Sequence, residues 1–322
     1  MENQTTVTEF ILRNLSSDPQ MQIFLFSMFL LIYIITLGSN IVIMVVIRAD
    51  SHLHTPMYFF LFHLSFLDIC YSSVTVPNML MNFLVEHKTI SFNGCIVQIF
   101  FISLSIAAEI FILTAMAYDR YTAICDPLRY MERMSKQICV QLVSGAWTIG
   151  FFHALLNTVF TSKLRFCGPN EINHFSCELP PLLQRSCTDT LTNQTVLIAF
   201  GVCVALCCFA FITVSYIHIF SAVLKIPSVE GRHKAFSTCL PYLTVVMLFL
   251  GTGIFSYMMP TSASAFKQYL VAVFYSVVPP LINSIIYRRF SLRGKQWTPL
   301  SEDILFWQRG LVARILVWES AN

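Results

Sequence analysis

The sequence predicts an all-α membrane protein, a seven-transmembrane helix bundle with its N-terminus outside and its C-terminus cytoplasmic. Three observations carry this. Only 11% of the 322 residues are charged and 56% are hydrophobic, whereas a soluble domain carries about 25% charged residues. The chain therefore has too few charges to coat a soluble core. Seven apolar stretches reach the length that crosses a bilayer, about 20 residues. They are apolar all round, which argues against a membrane β-barrel, whose strands are ~10-residue segments of alternating hydrophobicity.

The elements follow in order. Residues 1–22 are polar and acidic and form an outer N-terminal segment, with the first span expected to act as the targeting signal. The first span, Ile23–Ile47, stops at Arg48. The second is Met57–Val85 and the third Phe92–Tyr118, which ends in Asp119-Arg120-Tyr121. Arg120 cannot rest in hydrocarbon, so it marks where that helix meets water. Arg129, Arg133 and Lys136 precede the fourth span, Ile138–Phe160, and Lys163 and Arg165 follow it. The fifth is Val196–Leu224, the sixth Ala235–Met259 and the seventh Gln268–Tyr287. The bundle thus occupies 23–287, and 288–322 is a cytoplasmic tail. Neither a soluble-domain linker nor an internal repeat of the transporter kind interrupts it.

Lys and Arg concentrate on the side that holds Arg48, Arg120, Arg129, Arg133, Lys136, Lys225, Arg232 and Lys234, and that side is expected to be cytoplasmic. Asn3-Gln4-Thr5 and Asn14-Leu15-Ser16 are glycosylation sequons in the outer segment. Asn193-Gln194-Thr195 is a weaker one, close to the fifth span. The net charge of +3 carries no nucleic-acid signal.

Of 11 cysteines, Cys70, Cys125, Cys139, Cys203, Cys207, Cys208 and Cys239 lie in spans or at their inner ends and read as small hydrophobes. Cys95, Cys167, Cys177 and Cys187 lie on the outer, oxidising side, where sequence alone allows three pairings. His174, Cys177 and Glu178 sit together, but a disulfide-bonded Cys177 has no thiolate for a metal. Two acids, Asp68 and Glu109, fall well inside spans, at a cost of about 2.5–3.5 kcal/mol per mid-bilayer charge. Asn40 and Asn283 lie at similar depth. The four form either a cation cavity, with hard oxygens suited to Na⁺, or a protonated hydrogen-bonded knot. His63 and His153 read as interhelical histidines.

Several runs resemble the olfactory receptors, a branch of the rhodopsin-like G-protein-coupled receptors. Met116-Ala117-Tyr118-Asp119-Arg120-Tyr121 through Tyr130 resembles the third-helix signature. Gly38-Ser39-Asn40, Pro56-Met57-Tyr58 with Leu64-Ser65 and Asp68, and Trp147 resemble the first, second and fourth helices. Ser215-Tyr216, Lys234 to Cys239 and Pro279-Pro280-Leu281-Ile282-Asn283 through Tyr287 resemble the fifth, sixth and seventh. The resemblance spans about residues 10 to 290. Three features depart from it. Ser284 stands where a proline is usual, and Leu250 where tyrosine is common. Beyond Tyr287, Arg288-Arg289-Phe290 intrudes and Trp297 to Trp318 is unlike the family. Ile304–Trp318, broken by Arg309, Gly310 and Arg314, is either an interfacial helix or an extension.

The resemblance implies Cys95–Cys177 and Cys167–Cys187 disulfides and a sodium site at Asn40, Asp68, Glu109 and Asn283. It implies a plasma-membrane receptor, not an enzyme, with no cofactor beyond a possible structural Na⁺. Positions 3 and 4 apart share a helix face, which puts Ile102, Ser103, Ile106 and Ala107 toward the bundle below Cys95. By resemblance Phe200, Val204, Ile254, Tyr257, Val273 and Ser276 line the same space. That lining suits a small, mostly apolar volatile odorant. At the inner end, Asp119 holds Arg120 at rest. Activation frees Arg120, the sixth helix swings out, and Tyr216 and Tyr287 meet through water; with Tyr121 these form the switch that admits a stimulatory heterotrimeric G protein, raising cAMP. Two rival readings remain: a receptor product impaired in trafficking by its tail, and an ion-conducting bundle.

Overall fold

In the computed structural model, the residues described are 9–12, 19–85, 89–164, 166, 171–172, 176–177, 179–183, 191–225, 228–232, 236, 239–240, 243–247 and 251. Ile254, Tyr257, Val273, Ser276, Asn283, Tyr287, Asn3, Asn14, Cys167 and Cys187 lie outside them, as does the tail.

Five helices among the described residues are long and apolar enough to cross a membrane. They are α1 (Pro19–Ala49), α2 (Pro56–Leu84), α3 (Phe92–Cys125), α4 (Lys136–Ser162) and α5 (Leu191–Leu224). Helical pieces at Phe236, Cys239–Leu240 and Leu243–Met247 fall within the expected sixth span. The helix ends follow local chemistry. Pro56 opens α2 at its first turn, where a missing N–H costs nothing. Ser91 caps α3 by accepting from the Gly94 amide at 3.2 Å. That helix runs past the expected Tyr118 to Cys125, because leaving hydrocarbon does not end a helix. Pro127 does, by excluding helical geometry from Asp126, whose ψ is 58°. Asn193 falls in the first turn of α5.

α2 packs against both α1 and α3, and α4 and α5 pack along α3. A glycine makes one of these approaches possible. A Cβ on Gly150 of α4 would sit 3.2 Å from the Leu104 carbonyl of α3 and 3.3 Å from Ala108. One apolar cluster runs between α1, α2, α3, α4, α5 and the sixth segment, including Leu64, Ile112, Met116, Ala146, Ile219 and Val246. Phe29 stacks on Phe83 at 6.1 Å between α1 and α2. The outward faces of α1, α4 and α5 expose Ile34, Phe152, Leu206 and Ile217, among others, as lipid contact requires.

At the Cys95 end sits a small sheet that the sequence does not announce. Strand β1 (Glu9–Leu12) lies between β2 (Thr89–Ser91), antiparallel with Phe10 opposite Ile90, and β3 (Glu171–Ile172), parallel with Ile11 opposite Glu171. Phe10 is 2% exposed and meets Phe166 edge-on at 5.2 Å. Ile90, Cys95, Ile99, Ile172, Cys177 and Leu182 complete this core.

Candidate functional site

At the end of α3 remote from the sheet, the Asp119 carboxylate is buried and held from two sides. The Arg120 guanidinium lies 3.8 Å from Oδ2, and the Tyr130 hydroxyl donates to Oδ1 at 2.8 Å. Tyr130 reaches back because Pro127–Arg129 forms a 3-10 turn and Tyr130–Arg133 one turn of helix. A second pair, Arg133 to Asp126 at 3.2 Å, closes the same loop. Burial, then the neighbouring Asp119 carboxylate, pushes the Tyr130 phenol up, so it stays a neutral donor. Arg120 also interacts electrostatically with Tyr216 of α5, Cys239 of the sixth segment and Tyr58 of α2. Cys239, Val245 and Val246 are buried in the same cluster as Met116 and Tyr216. The Phe220 and Phe236 rings, 5.5 Å apart, join α5 to that segment. Tyr121 is half-buried and its ring meets His218 at 6.1 Å. The structure thus brings Asp119, Arg120 and Tyr216 together in a closed arrangement. Tyr130 and Tyr58 join them, and neither was expected from sequence as a site residue. Tyr130 closes the run that resembles the third-helix signature, but with no role attached to it.

Midway along the bundle Asn40, Asp68 and Glu109 are all buried, at 1%, 2% and 7% exposure. The Asn40 amide donates to the Thr36 carbonyl at 3.0 Å, while its Oδ1 has no hydrogen-bond partner among the described residues. His153 bonds Asn157 within α4 at 3.0 Å and faces Gly201 of α5, whereas His63 packs edge-on against Phe59 and Phe62. No group of three or more potential metal ligands occurs among the described residues.

At the sheet end, Cys95 and Cys177 form a disulfide with Cα atoms 5.2 Å apart. The seven cysteines expected to be free are so. Below the bridge, Ile102 is buried and Ser103, Ile106 and Ala107 are half-buried. Val204 is half-buried too, while Phe200 is 63% exposed. Gln98, one turn below Cys95, ties the loop to two helices, and sequence reading passed it over as part of an apolar span.

The sequence profile of a family described as "Olfactory receptor" matches residues 29–305. Olfactory receptor 5AP2 of Mus musculus is 50% identical over 305 residues, covering 94% of this chain and 95% of its own. Its Homo sapiens namesake is 47% identical, with 94% and 96% covered. Olfactory receptor 5A1 of Homo sapiens is 49% identical, with 91% and 93% covered. The membrane-helix architecture agrees with these matches. The chain belongs to the olfactory receptor family, multi-pass plasma-membrane proteins and not enzymes, which detect odorants through G-protein signalling.

Proposed function

We propose that the chain binds a small, mostly apolar volatile odorant in the outer half of the bundle and activates a stimulatory G protein, raising cAMP. The N-terminus lies outside and the tail inside. The observation that carries this reading is the half-buried Arg120, paired with the buried Asp119 and interacting electrostatically with Tyr216 and Cys239. An arginine so placed is a switch when another arrangement of the sixth segment can release it. An odorant drives the release only by binding the open state better. Moving 1:99 to 99:1 takes about 5.5 kcal/mol of differential affinity.

Ile102, Ser103, Ile106, Ala107 and Val204 supply an apolar wall with one hydroxyl, which supports an uncharged ligand with a single polar group. Phe200, Ile254, Tyr257, Val273 and Ser276 are assigned to the same lining. The inner residues Tyr121, Tyr216 and Tyr287 flank the groove for a G-protein helix. A structural Na⁺ fits the middle of the bundle, because Asn40 offers a buried oxygen with no hydrogen-bond partner among the described residues and Asp68 a buried carboxyl group. Glu109 and Asn283 complete that donor set, which is made of hard oxygens. The outer loop carries the second pair, Cys167–Cys187, and Asn3 and Asn14 carry glycans.

The test is an odorant panel on cells that supply a stimulatory G protein and display the chain at the surface. Agonist-dependent cAMP is expected, and Arg120→Ala abolishes it. Ion flux without agonist would favour the conducting bundle. Signalling by a chain cut after Lys295 but not by the full chain would favour the impaired product.

A further inference from the structure

Gln98 sits in α3 one turn below Cys95 and one turn above Ile102, and it is only 3% exposed. Its neighbours in the outer core are apolar, including Cys95, Ile99 and Cys177. A carboxamide in such a place is costly unless both ends are used. Both are. The side-chain Nε2 donates to the Val74 carbonyl of α2 at 2.9 Å, and Oε1 accepts from the Cys177 amide at 2.8 Å.

Gln98 serves both partners. Val74 lies in the turn of α2 that precedes Pro77, next to Ser73, whose carbonyl loses its intrahelical donor to that proline. The Gln98 bond links α3 to α2 at this irregular turn. The Cys177 amide is buried with its residue, two positions before the short helix Leu179–Leu183, and its hydrogen bond goes to Gln98. The disulfide tethers the Cys177 loop to α3, β3 pairs it with β1, and Ile172 and Leu182 pack it into the core at this end. Gln98 adds a second attachment to the same residue of the loop and a third element, α2.

We propose that Gln98 is the positioning residue of the roof over the ligand cavity: it sets the height of the Cys177 loop above Ile102, and with it the length of odorant admitted. This rests on the reading of the outer half of the bundle as the odorant site. A longer ligand must lift the roof and break the Gln98 bonds. A shorter one leaves them intact and the cavity underfilled.

The full chain in nanodiscs and in cells tests this with Gln98→Leu, which removes both bonds, and Gln98→Glu, which keeps an acceptor for the Cys177 amide. Hydrogen exchange at Cys177 is expected to quicken on the order of tenfold in Gln98→Leu, the loss of one buried hydrogen bond, and to stay near the parent rate in Gln98→Glu. In cells, short, medium and long straight-chain alcohols, aldehydes and ketones are the probes, read as cAMP at matched surface level. Gln98→Leu is expected to move the best response to longer chains, with Gln98→Glu closer to the parent. Should Gln98→Leu not reach the surface, Gln98→Asn, one methylene too short to span both partners, carries the same expectation. Unchanged exchange at Cys177 overturns the proposal. So does quickened exchange with potency falling equally at every chain length, which is what loosened packing alone would give. A parent chain silent to all probes counts against the odorant-site reading, and the exchange arm still decides whether Gln98 holds the loop.

Discussion

Removing one hydroxyl at the inner end is expected to make the receptor signal without odorant. Tyr130→Phe keeps the ring and its packing but deletes the donor that reaches Asp119 at 2.8 Å. Asp119 is 1% exposed, so water does not replace the lost bond freely. A hydrogen bond to a charged group is worth about 1.5–3 kcal/mol. Tyr130 reaches Asp119 in the closed arrangement, where Tyr216 and Cys239 also lie around Arg120. Where the loop shifts in the open state, the lost energy comes off the closed state alone. The lower figure is then about a tenfold change in the equilibrium. A receptor resting near 1:99 would move to roughly 1:10.

The assay is basal cAMP, divided by surface receptor, in cells supplying a stimulatory G protein. An increase of several-fold is expected, approaching tenfold. The pH behaviour follows from the sign of the phenol shift. Tyr130 is raised above its ordinary value of about 10. Its neutral form therefore contributes fully at every pH below that value, and the contribution is lost only in strong alkali. The excess of Tyr130→Phe over the parent should thus be flat across the neutral range. Asp119→Asn combined with Tyr130→Phe should give less than the sum of the two, because both act on one carboxylate. Unchanged basal signalling at equal surface level would refute the reasoning. It would mean that the Tyr130 bond survives activation and is structural only.

Other outcomes follow from the same geometry. Gly150→Val should push α3 and α4 apart, since even a Cβ meets the Leu104 carbonyl at 3.2 Å. A loss of about 1–3 kcal/mol is expected in thermal unfolding. Gly145→Ala in the same helix, with nothing within 4 Å, should be neutral or gain up to about 1 kcal/mol. Cys177→Ser opens a bridge across a sequence separation of 82 residues. On the loop-entropy view it costs about 4–5 kcal/mol, read as loss of surface staining. Phe10→Ala should release β1 from the outer core and speed amide exchange in Thr89–Ser91, with exchange in α3 below Ile102 unchanged. Sodium should raise the unfolding temperature of the parent but not of Asp68→Asn, and equal sodium effects in the two would remove the ion from the proposed site.

Hydropathy and helix chemistry are local, and what they govern was legible. The five long helices of the structure coincide with the first five apolar stretches to within a few residues at most ends. The exception is the end of α3, where the charges at Asp119 and Arg120 mark the membrane edge but Pro127 marks the helix end. Sequence supplied one boundary and the fold needed two. The groups that close the site are of another kind. Tyr130 meets Asp119 only because a turn folds the chain back on itself, and Gln98 meets Cys177 from 79 residues away. Strand β1 is four residues long, too short for its alternation to stand out, and both its partners lie far along the chain. The Cys95–Cys177 pairing was reached through resemblance, since spacing left three choices.

The two kinds of information divide along a physical line. Burial of apolar surface repeats with the helix and leaves a period in the sequence. A hydrogen bond between distant groups satisfies one donor and one acceptor and leaves no period at all. Where burial keeps water from substituting, such single bonds settle which of two packings is preferred. The residues least visible in this chain, Gln98 and Tyr130, are therefore the ones whose replacement should change its behaviour while leaving its seven-helix architecture in place.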